Sequence, residues 1–182
     1  REGVYSGEII SPETNIVCVD LARAGMLPSF QIYDDLNYIV GPDLVRQDHI
    51  YIGRTVNDEE KVTGAKMHGS KIGGPIDEAI VLIPDPMGAT GTTLIQVIDH
   101  YKKNVPGIPL KFVAMHLIVT PEYMKAVTKA HPDVEIFALR IDRGLSSDKV
   151  KNSPLGKFID EEKGLNSHQY IVPGAGGVGE IL

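Results

Sequence analysis

A loop rich in Pro and Gly carries the residues of this chain that are best suited to chemistry. It runs from Pro84 to Thr93 and directly follows a short apolar stretch. The Asp85 carboxylate stands where that stretch ends and can accept hydrogen bonds from sugar hydroxyls. Small residues at Ala89-Thr90-Gly91 let the backbone fold closely around an anion. Thr92 and Thr93 add hydroxyl donors where a helix is predicted to begin, so the loop favours a phosphate ester beside a diol.

Other interpretations of this loop fit less well. No Gly-Lys-Ser/Thr follows at the spacing of a nucleoside-triphosphate loop, and the glycines are wrongly spaced for the dinucleotide fingerprint. A plain strand-to-helix turn remains an alternative, although helix capping alone would not require so specific a residue sequence. None of the six histidines pairs with another at metal-ligand spacing, which argues against a structural zinc site. His116 lies within an apolar segment and is expected to be a hydrogen-bonded core residue.

Apolar periodicity predicts the elements that must position this loop. Strands are predicted at Ile16–Asp20, His49–Gly53, Ala79–Ile83, Phe112–Val119, Val134–Leu139 and Gln169–Val172. Helices are predicted at Leu27–Ile39, Leu94–Tyr101 and about Pro121–Ala130, the last with Thr120 as its N-cap. This alternation indicates an α/β fold, with a mostly parallel sheet of about five strands, helices on both faces and a small C-terminal hood.

Two segments lack a clear period. The polar stretch from Arg54 to Glu78 is predicted to be a hairpin or a mobile loop, and the stretch from Gly144 to Ser167 is predicted to be irregular. We see no internal repeat and no domain boundary, so residues 1–182 are expected to form one domain. In such a sheet, ligands bind outside the carboxyl ends of the strands. The loops after Asp20, Ile83, Val119 and Leu139 are therefore the informative ones.

Composition narrows the class of function. The formal net charge is −6, from 18 basic and 24 acidic residues, and there is no basic stripe, which argues against nucleic acid as the main partner. Apolar residues make up 42% of the chain, but no run approaches the roughly 18 that a membrane span needs. The single cysteine excludes an internal disulfide framework, and we expect a cytoplasmic protein.

Three motifs together resemble a known family. Asp85-Pro86-Met87-Gly88-Ala89-Thr90-Gly91 resembles the phosphoribosyl-pyrophosphate signature of the uracil phosphoribosyltransferases. Leu21-Ala22-Arg23-Ala24-Gly25 resembles the pyrophosphate loop of that family, and Tyr170-Ile171-Val172-Pro173-Gly174 resembles its uracil-binding segment. Arg54 and the acidic residues after it resemble the start of a flexible loop in the family, although a solvated charged hairpin is the alternative for Asp58 to Lys61.

The resemblance implies a phosphoribosyltransferase fold and transfer of phosphoribose from phosphoribosyl pyrophosphate to uracil, with Mg²⁺, giving UMP and pyrophosphate in pyrimidine salvage. It also implies a homodimer or a higher homo-oligomer. The residues that it implies in catalysis are Asp85 and Arg54. The residues that it implies in binding phosphoribosyl pyrophosphate are Arg23, Ala24, Gly25, Asp85, Met87, Ala89, Thr90, Gly91, Thr92 and Thr93. The residues that it implies in binding uracil are Tyr170, Ile171, Val172, Gly176 and Gly177.

The chain departs from the family pattern at three places. Gly177 stands where the family has an Asp near the substrate. An insertion at 146–167 is a lid, a subunit contact or a surface loop. The N-terminal helices and arm of the family have no counterpart in 1–182. Two alternatives to uracil transfer therefore stay open: transfer to another base, and a non-catalytic nucleotide sensor.

Overall fold

The computed structural model describes residues 10–56 and 62–176. The strands are β1 (Ile16–Ala22), β2 (Val45–Val56), β3 (Val62–Lys71), β4 (Ile80–Pro84), β5 (Met87–Gly88), β6 (Lys111–Val119) and β7 (Val134–Ile141). The helices are α1 (Met26–Ile39), α2 (Thr92–Asn104), α3 (Pro121–Ala130) and α4 (Asp148–Lys151). The Thr120 hydroxyl accepts a hydrogen bond from the Tyr123 N–H, which confirms the predicted N-cap of α3.

The seven strands form one sheet. Six of them follow the order β3-β2-β1-β4-β6-β5, and β7 also pairs with β6. Every pairing is parallel except that of β2 with β3. This topology brings the ends of β1 and β4 to the same edge of the sheet, because parallel neighbours run in one direction. The loops that follow these two strands therefore lie side by side.

Helices cover both faces of the sheet, as predicted. Alternate residues of a strand point to opposite faces, and the buried residues fall into two clusters accordingly. The larger cluster packs α2 and α3 against side chains such as Val19, Val81 and Ala114. The smaller cluster packs α1 against Ile16, Leu82 and others. The α/β class inferred from the sequence is confirmed.

A buried polar cluster anchors the β2–β3 hairpin to the rest of the domain. The Asp48 carboxylate is fully buried and accepts hydrogen bonds from the Arg46 guanidinium, the Gly73 N–H and the Tyr101 hydroxyl, the last at 2.8 Å. Such full pairing offsets the cost of burying a charge. It also links α2 to the base of the hairpin, which places the hairpin beside the loop that precedes α2.

Three sequence-based expectations change in detail. The stretch from Arg54 to Glu78 is a hairpin, the first of the two alternatives, since β3 pairs antiparallel with β2. The predicted strand Gln169–Val172 is wrong: only an isolated bridge joins Leu165 to Ile171, and the segment turns instead. The stretch predicted to be irregular contains the short helix α4. Within 10–56 and 62–176, no helix is both long and apolar enough to cross a membrane.

Candidate functional site

Three segments converge on one cavity of about 580 Å³, a size typical of small-molecule sites. They are the loop after β1, the loop after β4 and the C-terminal segment before residue 177. The site residues predicted from the sequence that line the cavity are Arg23, Ala24, Gly25, Asp85, Met87, Ala89, Thr90, Gly91, Thr92, Thr93, Tyr170, Ile171 and Gly176. Residues far apart in the sequence are thus brought together around one space.

The loop after β4 has its carbonyl oxygens tied to the protein. Those of Asp85, Pro86, Gly88 and Ala89 accept hydrogen bonds from β6 or from Thr120, at distances between 2.5 and 3.1 Å. Each carbonyl oxygen carries partial negative charge, and these hydrogen bonds direct the oxygens toward β6. The electrostatic character that the loop offers to a ligand is therefore set by its N–H groups.

Those N–H groups are available. In the described part of the chain, no acceptor meets the N–H of Ala89, Thr90 or Gly91. The Thr90 and Thr92 hydroxyls hydrogen-bond to each other at 3.0 Å, just where α2 begins. Gly91 has φ of +82°, and a Cβ there would lie 2.9 Å from a Val127 methyl, so the turn requires glycine. The result is a concave row of donors at a helix N-terminus, suited to an anion.

The loop after β1 makes a second concave backbone surface in the cavity. The Gly25 N–H donates to the Leu21 carbonyl at 2.9 Å, while the N–H of Ala24 meets no acceptor among the described residues. Arg23 is exposed and adds a positive charge to the lining, and the peptide bond that precedes it is cis. A Cβ on Gly25 would lie only 2.9 Å from the Pro84 carbonyl oxygen. This loop therefore packs directly against the end of β4.

Asp85 supplies the only carboxylate among the described residues that line the cavity. Its backbone N–H donates to the Met115 carbonyl at 3.0 Å, and its Oδ1 accepts a long hydrogen bond of 3.4 Å from the Met87 N–H. The side chain is half-buried. A carboxylate in this setting can accept hydrogen bonds from hydroxyl groups or from metal-bound water.

His116 and Tyr123 are among the lining residues that were not predicted to belong to the site. His116 is buried and hydrogen-bonded, which confirms the prediction of a core histidine, but it also lines the cavity together with Tyr123. Its Nδ1 lies 2.5 Å from the Asp85 carbonyl oxygen and its Nε2 lies 2.5 Å from the Tyr123 hydroxyl. Burial lowers the pKa of His116 to about 4, although its hydrogen bond to the Asp85 carbonyl acts in the opposite direction.

This depressed pKa predicts a pH dependence of stability. Between pH 6.5 and 4 the unfolded chain binds a proton at His116 that the folded chain does not, so stability is lost as the pH falls. From pH 7 to 5 the free energy of unfolding should drop by about 2 kcal/mol more in the wild type than in His116→Asn. Urea unfolding at both pH values measures this difference. Equal losses in the two proteins would contradict a neutral, buried His116.

The C-terminal segment contributes differently than the sequence predicted. Its turn uses Asn166, whose side chain accepts the Tyr170 N–H and whose backbone N–H donates to the Tyr170 carbonyl. Val172 lies outside the cavity lining, because its N–H donates to the Gly164 carbonyl and its carbonyl accepts from Gly144. Val172 is therefore not among the residues that line the cavity, whereas Tyr170 is, and the assignment of both to the base stays a prediction.

Two carboxylates hold this segment in place. Asp142 is buried, and its Oδ2 accepts the Gly174 N–H at 2.8 Å. Glu122, in the first turn of α3, accepts the Gly164 N–H at 3.0 Å with each of its oxygens. Neither residue could be assigned from the sequence, because both partners lie more than 30 residues away. Together they fix the segment against the ends of β6 and β7.

Two predicted site residues, Arg54 and Gly177, lie partly or wholly outside the described residues. Arg54 belongs to β2 and pairs with Ala65, but its side chain lies outside the described residues, as do 57–61 and Gly177. The neighbouring Gly53 and Gly64 line the cavity, so this part of the hairpin reaches the site. The roles of Arg54 and Gly177 stay predictions.

Comparison with known proteins places this geometry in context. The family model described as "Uracil phosphoribosyltransferase" matches residues 2–161. A uracil phosphoribosyltransferase from Mycoplasma genitalium is 31% identical over 172 residues, which cover 93% of this chain and 66% of that protein. A uracil phosphoribosyltransferase from Thermococcus kodakarensis is 38% identical over 103 residues, which cover 57% of this chain and 35% of that protein.

A solved structure of a protein from Aquifex aeolicus superposes with a TM-score of 0.64 at 28% identity, covering 91% of this chain and 63% of that one. The present chain therefore spans between about a third and two thirds of the length of these relatives. The family model covers the loops after β1 and β4 and ends before the C-terminal segment of the cavity.

Proposed function

Because this chain belongs to the uracil phosphoribosyltransferase family, we propose that it transfers the phosphoribosyl group of phosphoribosyl pyrophosphate to uracil, giving UMP and pyrophosphate. The observation that carries the proposal is the loop after β4. Its carbonyl groups are bound to β6 and Thr120, while the N–H groups of Ala89, Thr90 and Gly91 have no acceptor in the described residues. The same cavity holds a carboxylate, a second backbone cradle and an apolar wall.

The 5′-phosphate of the sugar binds the donors between Ala89 and Thr93. Three free N–H groups, the Thr hydroxyls and the positive end of α2 match the oxygens of a dianionic phosphate. The adjacent Asp85 then faces the ribose, whose hydroxyls donate to its carboxylate. This pairing fixes the sugar at both ends, which positions its anomeric carbon for attack by the base.

Pyrophosphate leaves toward the loop after β1. Breaking the glycosidic bond develops positive charge on the ribose and negative charge on the leaving group. Arg23 and the N–H of Ala24 stabilise the leaving group, and Asp85 stabilises the sugar. Arg54, on the hairpin that borders the cavity, is proposed to add a second cation when substrate binds.

Mg²⁺ fits the residues present. Among the described residues no group of three metal-ligating side chains exists, and Asp85 is the single carboxylate in the cavity lining. This set suits Mg²⁺, which keeps several waters and is held mainly by substrate phosphates with one or two carboxylates. When bound, Mg²⁺ would neutralise charge on pyrophosphate as it leaves. Asp85 would hold the ion through its bound water.

The base lies against the C-terminal segment. Met87, Tyr170 and Ile171 offer apolar surface to the flat ring of the base. Gly176 has no side chain, so the backbone at this residue can approach the base closely. The choice of uracil is supported by the names of the curated relatives. Gly177, which replaces a family Asp, favours transfer to another base as the second candidate.

One assay separates these functions. The full-length protein is incubated with phosphoribosyl pyrophosphate, Mg²⁺ and a panel of bases, and pyrophosphate release is followed. Release with uracil is expected, whereas release only with another base would replace uracil by that base. UMP binding without release from any base would indicate a nucleotide sensor. Absence of both release and UMP binding would refute the proposed function.

A further inference from the structure

The regular strand pairing with β6 is interrupted at the Asp85–Pro86 peptide, directly beneath the site. The ladder between β4 and β6 ends with Pro84 opposite Met115, and the ladder between β5 and β6 begins with Met87 opposite Ile118. Between them, proline supplies no N–H, so the carbonyl of Asp85 is the only polar group that can orient this peptide. The backbone cannot close this gap by regular strand pairing.

The side chain of His116 takes the place of the missing ladder bond. A carbonyl oxygen can only accept, so the contact of 2.5 Å between His116 Nδ1 and the Asp85 carbonyl requires a proton on Nδ1. In the neutral ring Nε2 then accepts, and its partner at 2.5 Å is the Tyr123 hydroxyl. The hydrogen bonds therefore run from Tyr123 to His116 to Asp85 in one direction.

The surroundings fix that direction. His116 is 7% exposed and Tyr123 is 2% exposed. Burial, followed by the negative charge of Asp85, raises the pKa of the Tyr123 hydroxyl, which keeps it a donor. A Cβ at Gly88 would lie 2.9 Å from the Tyr123 ring, so the loop packs tightly on this aromatic pair.

With its N–H bound to Met115 and its carbonyl bound to His116, Asp85 has both flanking peptides tied to β6. Only its side-chain torsions remain, and its Oδ1 accepts the Met87 N–H at 3.4 Å. We propose that His116, oriented by Tyr123, is a positioning residue that aims the Asp85 carboxylate at the ribose hydroxyls. This inference rests on the proposed function, since it assigns those hydroxyls to Asp85.

The test compares two nucleotides in two matched variants. UMP carries the ribose hydroxyls, and 2′,3′-dideoxy-UMP lacks them, so the ratio of their dissociation constants measures what the hydroxyls contribute. Wild type should prefer UMP by about tenfold or more. In His116→Asn the amide N–H donor is the same number of bonds from the backbone as Nδ1 of His116. The ratio for this variant should therefore stay within about twofold of the wild type. His116→Leu has the size of Asn without the donor, and its ratio should fall by about fivefold or more.

A purely structural role for His116 predicts a different pattern. General loosening of the loop weakens both nucleotides alike and leaves the ratio unchanged, so an unchanged ratio in folded His116→Leu overturns the proposal. If that variant does not fold, Tyr123→Phe replaces it, because Phe retains the ring that packs on Gly88. Its ratio should also fall, and ¹⁵N–¹H spectra should show protonation of Nε2; an unchanged ratio overturns the proposal. Failure of wild type to bind UMP would instead refute the proposed function.

Discussion

Replacement of Asp85 by Asn is expected to lower turnover by about 100-fold or more. Asn matches Asp in size and keeps an oxygen that can accept the Met87 N–H, so the loop should retain its shape. What disappears is the negative charge, together with one of the two acceptors for the ribose hydroxyls. The loss should fall on kcat in the pyrophosphate-release assay, because charge on the sugar develops only in the transition state.

A control variant separates this effect from a general loss of charge. Asp34→Asn makes the same chemical change on an exposed turn of α1, outside the cavity lining, and should leave kcat unchanged. Thermal unfolding of both variants checks that they are folded. An Asp85→Asn variant with wild-type kcat would exclude Asp85 from the mechanism. The mechanism would then have no carboxylate among the described residues that line the cavity.

Local signals explain which parts of the molecule the sequence predicts. The loop from Pro84 to Thr93 combines glycines, hydroxyls and a carboxylate at a strand end, so its position in the chain follows from neighbouring residues. The N-cap at Thr120 is local in the same sense, since its partner is three residues away. The alternation of strands and helices then requires a parallel sheet, which brings the loops after β1 and β4 together.

Long-range contacts explain what the sequence does not predict. The segment around Tyr170 has the apolar character of a strand, but the Asp142 and Glu122 carboxylates hold it in a turn by accepting hydrogen bonds from backbone N–H groups more than 30 residues away. The site role of His116 is hidden for a related reason. Its position in an apolar strand predicts burial, yet only the order of strands in the sheet places it beside the Asp85 peptide.

Gly25→Ala is expected to raise KM for phosphoribosyl pyrophosphate by about 100-fold while changing UMP affinity little. The added Cβ would lie 2.8 Å from the Leu21 carbonyl and 2.9 Å from the Pro84 carbonyl. Both are backbone atoms, so no flexible side chain can relieve the contact. Pro84 belongs to the central strand β4, and therefore the loop after β1 must move. That movement displaces the pyrophosphate cradle and leaves the 5′-phosphate donors after Asp85 in place.

Gly69→Ala is the matched control, because a Cβ at Gly69 would meet no atom within 4 Å and this residue lies outside the cavity lining. It should keep both the KM and the UMP affinity of the wild type. The informative quantity is the contrast between the two ligands, since the proposed function places the pyrophosphate group, which UMP lacks, in the loop after β1. Equal weakening of both ligands in Gly25→Ala would mean that the two loops form one rigid unit. An unchanged KM would mean that pyrophosphate leaves by another route, with Arg23 outside the reaction.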